Sequence, residues 1–469
     1  AQDGVMGHHA GGGSQEEKAH EIAGLVAAAG RHPTRETLME LYDAVCLDGP
    51  LAYVGPMMGL LGQLNATVPE VHGVGRWLAT TAAHRGAAKA RMLILGGTVL
   101  DDEDLAILRT LGAHEEFTLY AAIALRNGLP APDRELWALA KVVDGWGRIQ
   151  SVEWLQHTTD PEIRSWILRA GYRNTVMYEY LAHIAATTGD LVGALQTPHP
   201  DRELLTAAGE ILTALIAGGP AQDIHDYTEA PAAVEAFLGH MLTRAETFGD
   251  HEAVSAIRAF LTDPEAWDPR DDGGWTVSLR ERLGDQCAQL LGQDVWRHRI
   301  AEGLRSGDRG VFWAAHRAAQ AQGIDTFDLL LGRLVEEPFE SWWFQAWQQA
   351  DGTRARELVD LAYRVLPLGE IATGPHDELG FGAAFSAHRA LDWSLQALRD
   401  FPGLGSELLA VALRSPVVRN RNMALTALAA WPPAQVSAEL VGLVGQLASG
   451  DPDESIRVRA RELLDGISR

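Results

Sequence analysis

The spacing of apolar side chains constrains this chain more than any other feature. After Asp102, Leu105, Leu108 and Leu111 recur on one helical face. Gly112-Ala113 then interrupts the pattern, and Phe117, Tyr120, Ala121, Ala124 and Leu125 line a second helix. About thirty residues later the design returns, at the period of a helical repeat. Asp133 precedes Leu136, Leu139 and Val142, a break spans Gly145 to Gly147, and Ile149, Val152 and Leu155 follow. One helix pair cannot hide both of its apolar faces from water, whereas stacked pairs share them. An all-α solenoid of stacked antiparallel helix pairs is therefore the expected fold.

The turns carry matching start signals. Asp160-Pro161-Glu162 supplies a capping side chain, a proline at the first helical position and a first-turn acid. Asp201-Arg202-Glu203 and Asp263-Pro264-Glu265 repeat parts of that chemistry, as do Ser415-Pro416-Val417-Val418-Arg419 and Asp451-Pro452-Asp453-Glu454-Ser455-Ile456-Arg457. The last two segments resemble the HEAT-repeat family, whose second helix opens with a turn acid or proline, an aliphatic-Arg pair and small apolar residues. Val418-Arg419 and Ile456-Arg457 fill the aliphatic-Arg positions in this alignment, while Ser415 and Asn422 depart from the family pattern. The resemblance covers residues 100–215 and 395–467. It implies a superhelix whose concave face binds a partner. Arg164, Arg419, Arg457 and Arg459 are expected to bond turn acids of neighbouring repeats. Arg91-Met92-Leu93-Ile94-Leu95-Gly96-Gly97 reads as a helix with a glycine stop.

The chain divides on this reading into a flexible tail (1–15), an N-terminal helical array (16–261), a turn-rich linker (262–278) and a C-terminal array (279–469). The second array carries a loop insertion at 368–386. No apolar run of about eighteen residues exists to span a membrane. The thiols of Cys46 and Cys287 suit a reducing cytoplasm, which is the expected location. The net charge of −24 opposes phosphate-backbone binding and favours a partner of basic character. Positive charge is mostly arginine, since Lys18, Lys89 and Lys141 are the lysines.

Two enzyme families built on helical repeats offer comparisons. Deoxyhypusine hydroxylases place His-Glu pairs in adjacent repeats to hold two metals, and His20-Glu21, His114-Glu115 and His251-Glu252 are similar dipeptides. Their separation is far wider than one repeat, so no metal or other cofactor is expected. HEAT-like alkylpurine DNA glycosylases use Trp and Asp in a basic groove; Asp392-Trp393 with Arg419 and Arg421 resembles that set, against the acidic charge of the chain.

The remaining candidates form three groups. Trp342, Trp343 and Trp347 give the most unusual local composition: Trp343 and Trp347 share a face suited to the core, and Trp342 points elsewhere. His376, Asp377, His388 and Asp392 form a polar cluster in and after the insertion, with His388 and Asp392 one helical turn apart. Asn420, Arg421 and Asn422 place polar groups where the family has small apolar ones. No nucleophile elbow, phosphate loop or His-Glu-x-x-His motif names a reaction. The expected function is therefore an interaction scaffold that binds a protein or peptide on its concave face. The alternative is an enzyme or small-molecule binder with a pocket between the arrays, lined by 262–278, Trp342–Trp347 and 368–392.

Overall fold

In a computed structural model of the protein, residues 16–47, 49–267 and 273–467 are described. The expected tail at 1–15 and part of the 262–278 linker lie outside them. The chain is all-α, in two compact units that divide between Arg299 and Ile300. Among the described residues the one β element is an isolated bridge between Glu378 and Val417.

The N-terminal unit opens with α1 (Glu16–Arg31), α2 (Arg35–Leu47) and α3 (Val54–Gln63), then runs as pairs. These are α4 (Val68–Thr81) with α5 (Arg85–Gly96), α6 (Asp102–Gly112) with α7 (Thr118–Gly128), and α8 (Asp133–Val142) with α9 (Gly145–Glu153). Then come α10 (Pro161–Trp166) and α11 (Glu179–Thr188), α12 (Leu191–Leu195) and α13 (Arg202–Ala217), and α14 (Ala230–Arg244) and α15 (Phe248–Thr262). Helix α16 (Val277–Leu291) follows and packs on α15, so the turn-rich 262–278 stretch joins two neighbours within this unit. Second helices stack directly on one another in the order α5, α7, α9, α11, α13, α15. This continuous second row is what makes the stack an α-solenoid.

Helix α5 shows how the row is built. It is buried along its length, including Lys89 and Arg91. Lys89 Nζ lies 2.5 Å from Glu116 Oε1, and Arg91 Nη1 donates to the Ala79 carbonyl (2.5 Å), completing the C-terminal end of α4. Gly96 lets α5 approach α7, because a Cβ there would sit 2.4 Å from Ala124 Cα.

The first helices are tied by an arginine ladder. Arg76 donates to the α6 cap Asp101 (2.6 Å), Arg109 to Glu135 in the first turn of α8 (2.7 Å), and Arg134 to Glu162 beside the α10 cap (2.7 Å). Beyond the first helices, Arg169 in the turn after α10 reaches Asp201, the cap of the second-row helix α13, at 2.7 Å. The four arginines expected from the sequence to bond turn acids fare differently. Arg164 donates to the Thr188 carbonyl and Arg457 to the carbonyls of its own turn, Asp451 and Pro452. Arg164 also pairs with the α12 cap Asp190 (3.9 Å), as expected, whereas Arg459 bonds Asn422 and Arg419 donates to Asp392, a carboxylate within α23 rather than in a turn. The ladder is set by which side chains leave the first helices toward the next cap, a matter of three-dimensional stacking that a linear pattern does not display.

Helix α17 (Asp294–Gly303) crosses the division. The C-terminal unit continues with α18 (Arg309–Ala321), α19 (Phe327–Glu336), α20 (Trp342–Gln348), α21 (Gly352–Val365) and the short α22 (Leu368–Ile371). It ends with α23 (Ser386–Leu398), α24 (Ser406–Leu413), α25 (Val418–Ala430), α26 (Ala438–Gly450) and α27 (Glu454–Ile467). Its second row is α20, α23, α25, α27, each packed on the next. No helix among the described residues is long and apolar enough to cross a membrane.

Candidate binding surface on the second row of the C-terminal unit

The tryptophans of α20 are interior. Trp342, Trp343 and Trp347 are 3%, 0% and 6% exposed. Each indole N–H is satisfied inside the protein: Trp342 by Glu337 Oε2 (2.9 Å), Trp343 by the Pro338 carbonyl (2.8 Å), and Trp347 by Ser394 Oγ on α23 (3.1 Å). Trp342 packs edge-on against Phe312 of α18, ring centroids 5.2 Å apart. Large amphipathic rings with their polar tip bonded make a well-specified core.

The insertion 368–386 is clamped to the turn before α25. Gly374 N–H donates to the Arg414 carbonyl (2.8 Å), Glu378 N–H to Pro416 (3.2 Å), and Val418 N–H returns to Glu378 (3.0 Å). His376 and Asp377 ride this strap exposed to solvent, away from His388 and Asp392, which are interior. Leu379 and Phe381 project from the same strap, 66% and 73% exposed.

Beneath the row lies a buried polar network. Asn420 Nδ2 donates to Asp392 Oδ1 (2.5 Å) and to the His388 carbonyl (3.0 Å), while Ser415 Oγ donates to Asn420 Oδ1 (2.8 Å). Arg419 Nε donates to Asp392 Oδ2 at 2.6 Å. Burial pushes the Asp392 carboxyl above its ordinary range, against the opposing pull of Arg419 and Asn420. Burial likewise lowers His388, whose ring nitrogens have no hydrogen-bond partner among the described residues and whose ring meets Phe385 edge-on.

The two final repeats align differently from the sequence reading. Helices α25 and α27 each start two residues after a proline, Pro416 and Pro452. Arg421 Nη1 donates to Ser415 (2.8 Å) and Pro416 (3.0 Å), and Arg457 Nη1 makes the same pair of bonds to Asp451 and Pro452. Arg421 is thus the equivalent of Arg457, and Asn420 takes the buried place of Ile456. Proline phase, rather than the aliphatic-Arg pair, sets the register. Arg421 is fully buried and pairs with Asp451, Nη2 to Oδ1 3.0 Å, in a closed interior contact.

Asn420 and Arg421 therefore act inside the stack, and the solvent face of the row belongs to other residues. Phe344 of α20 meets Trp393 of α23, centroids 5.3 Å apart. Arg389 lies one turn before Trp393 and donates to the Gly382 carbonyl (2.6 Å). Arg419, its side chain 36% exposed, bridges from α25 to Asp392 on α23. Asn422, one turn on, accepts from Arg459 of α27. Phe344, Arg389, Trp393 and Asn422 are half-buried and Arg459 is exposed. One continuous stripe thus crosses four stacked helices. Three guanidinium groups lie along it, of which Arg419 and Arg389 act on the buried Asp392 carboxylate. The sequence reading reached Trp393 and Asn422 but not Phe344 or Arg389, which only the stacking order of α20, α23 and α25 places beside them.

The N-terminal unit holds one group with metal-ligand geometry among the described residues, His72, Asp101 and Asp104. His72 Nε2 is 2.8 Å from Asp104 Oδ2, and Arg76 Nη2 sits 2.6 Å from Asp101 Oδ1 and 3.4 Å from Asp104 Oδ1. A cationic side chain already occupies the centre of this carboxylate pair. The His-Glu dipeptides do not converge: His20 lies on α1, His114 in the turn before α7, and His251 is buried in α15 against Trp296 (5.0 Å).

These features define an all-α helical-repeat protein. No family model matches the chain, and no curated protein matches it. Among solved structures, it aligns with the crystal structure of an engineered protein at 18% identity and TM-score 0.25, covering 96% of this chain and 99% of that one. It also aligns with a homology model of the full-length AP-3 complex in an intermediate open conformation, at 10% identity and TM-score 0.30, covering 96% and 93%.

Proposed function

We propose that the protein is an interaction scaffold and that the second row of its C-terminal unit holds a segment of a protein partner. The supporting observation is the unbroken stripe Phe344–Trp393–Arg389–Arg419–Asn422–Arg459 across α20, α23, α25 and α27. Half-buried aromatics flanked by arginine have the composition of binding hot spots. The overall charge of −24 favours a basic partner for the chain as a whole. This row reverses that preference locally and suits an acidic segment carrying apolar side chains, since guanidinium forks pair with carboxylates. A long polyanion would meet too few cations here to offset the field of the whole chain.

The catalytic alternative draws on the shifted Asp392 and His388, although the His388 imidazole itself takes no part in the Asp392 network. Both are sealed beneath the row, with Asp392 held by Arg419 and Asn420, which suits a structural role better than turnover.

Fluorescence anisotropy with labelled peptides of alternating Glu and Phe, against Lys and Phe counterparts, tests the reading on the full chain. The acidic peptide should bind more tightly, lose affinity with added salt, and weaken at least tenfold in Arg389→Glu/Arg459→Glu and in Trp393→Ala. Equal binding of both peptides, or binding indifferent to these substitutions, would remove the proposal.

A further inference from the structure

A second surface, independent of the stripe, lies between first-row neighbours of the same unit. Helices α19 and α21 part to leave an open cleft of about 550 Å³, lined by Leu331, Gly332, Val335, Glu357, Asp360, Leu361 and Arg364. That volume falls within the range of ordinary ligand sites, roughly 300–1,000 Å³. Three properties determine what can enter. Leu331, Val335 and Leu361 make apolar walls, and Val335 is left 59% exposed. The cleft is open above Gly332, where an added Cβ would meet nothing within 4 Å. Glu357 and Asp360 stand on the α21 wall with no side-chain partner among the described residues, unlike the carboxylates of the ladder; Arg364 turns back to the Asp360 carbonyl at 3.4 Å.

We infer that this cleft docks an amphipathic helix with lysine or arginine beside its apolar stripe. A helix laid between two parallel helices sets its apolar side chains into the gap as ridges enter a groove. Flanking cations then reach Glu357 and Asp360, and the net charge of −24 draws such a segment in. An acidic helix would bring carboxylates against carboxylates, and a basic segment without apolar anchors would leave the walls wet.

The test uses the full chain and a fluorescein-labelled 18-residue leucine–lysine amphipathic helix, with a leucine–glutamate helix and oligolysine of equal length as comparisons. The leucine–lysine helix should bind. Affinity should fall at least tenfold in Glu357→Lys/Asp360→Lys, two exposed positions that leave the core intact, and also in Gly332→Phe, which fills the cleft. Arg389→Glu/Arg459→Glu should leave this binding unchanged, which separates the outcome from that of the stripe. Undiminished binding in the charge-reversed variant would overturn the inference, as would equal binding of the leucine–glutamate helix or of oligolysine. Concentration-dependent dimerisation abolished by Gly332→Phe would also overturn it, by showing that a second copy fills the cleft.

Discussion

Asn420 illustrates how a single side chain can be visible in a sequence and still be misplaced by it. Polar residues at 420–422 stand out in an apolar helix, and that intrusion was legible. Their individual directions were not, because register depends on where each helix leaves its proline turn. Arg421 turns inward to Asp451, both with side chains 0% exposed, while Asn422 looks outward toward Arg459. Removing one member of a buried pair leaves the other charge unanswered, at about 3–5 kcal/mol. Asp451→Ala should therefore lower the unfolding free energy measured in urea by that order, whereas Asp453→Ala, in the same turn, should cost no more than a lost cap, about 1 kcal/mol. Equal losses from the two would show that the buried pair carries no special weight. The tryptophans of α20 give the converse lesson: spacing correctly assigned Trp343 and Trp347 to one buried face, but the partner of Trp342 on α18 is thirty positions upstream and carries no local signature.

Helices and their caps were the most readable elements, since a cap involves residues a few positions apart. Asp160 accepts from the N–H groups of Glu162 (2.9 Å) and Ile163 (3.4 Å), as its Asp-Pro-Glu context implies. The 91–97 run is helical as expected, closing α5 at Gly96. Features that depend on distant chain were silent, among them the π turn Ile167–Gly171 and the strap that pairs Glu378 with Val417. The close approach of α5 and α7 yields a test of packing between elements. Gly96→Ala would ordinarily gain about 1 kcal/mol of helix propensity. Here the new methyl would meet Ala124 Cα at 2.4 Å, a backbone atom that cannot swing aside. Overpacking costs about 1–3 kcal/mol and should exceed the gain. A thermal melt should place this variant below the parent; an increase in Tm would contradict the packing account.

At the scale of the whole chain, charge and burial set the response to acid. Burial in α15 drives His251 down to about 4. The folded form therefore binds fewer protons than the unfolded one between about pH 6.5 and 4, and stability should decline as pH falls through that window, by on the order of 3 kcal/mol. In His251→Phe this decline should vanish; its persistence would assign the loss elsewhere. The ladder responds later. Hydrogen bonds from Arg169 and from the Leu204 N–H hold Asp201 below its usual range, and Asp104 N–H with Arg76 does the same for Asp101. Their contribution is present above the ordinary carboxylate pKa and disappears as pH falls below about 4. Denaturation curves at successive pH values should thus show two separate steps. Paired, stacked helices were readable across the chain because apolar periodicity is repeated in every unit. The stripe and the cleft were not, because each is assembled from helices whose adjacency is fixed only by stacking.

Interchangeable leucines carry a hazard for any array of similar units, since one helix can mate with the wrong neighbour or slip by a turn and still stay dry. On neighbouring elements Asn420 meets Asp392 and the His388 carbonyl of α23, and Arg421 meets Asp451 before α27. A slipped α25 would strand both in hydrocarbon, so the polar contacts beneath the row act as keyed fittings that penalise every assembly but one.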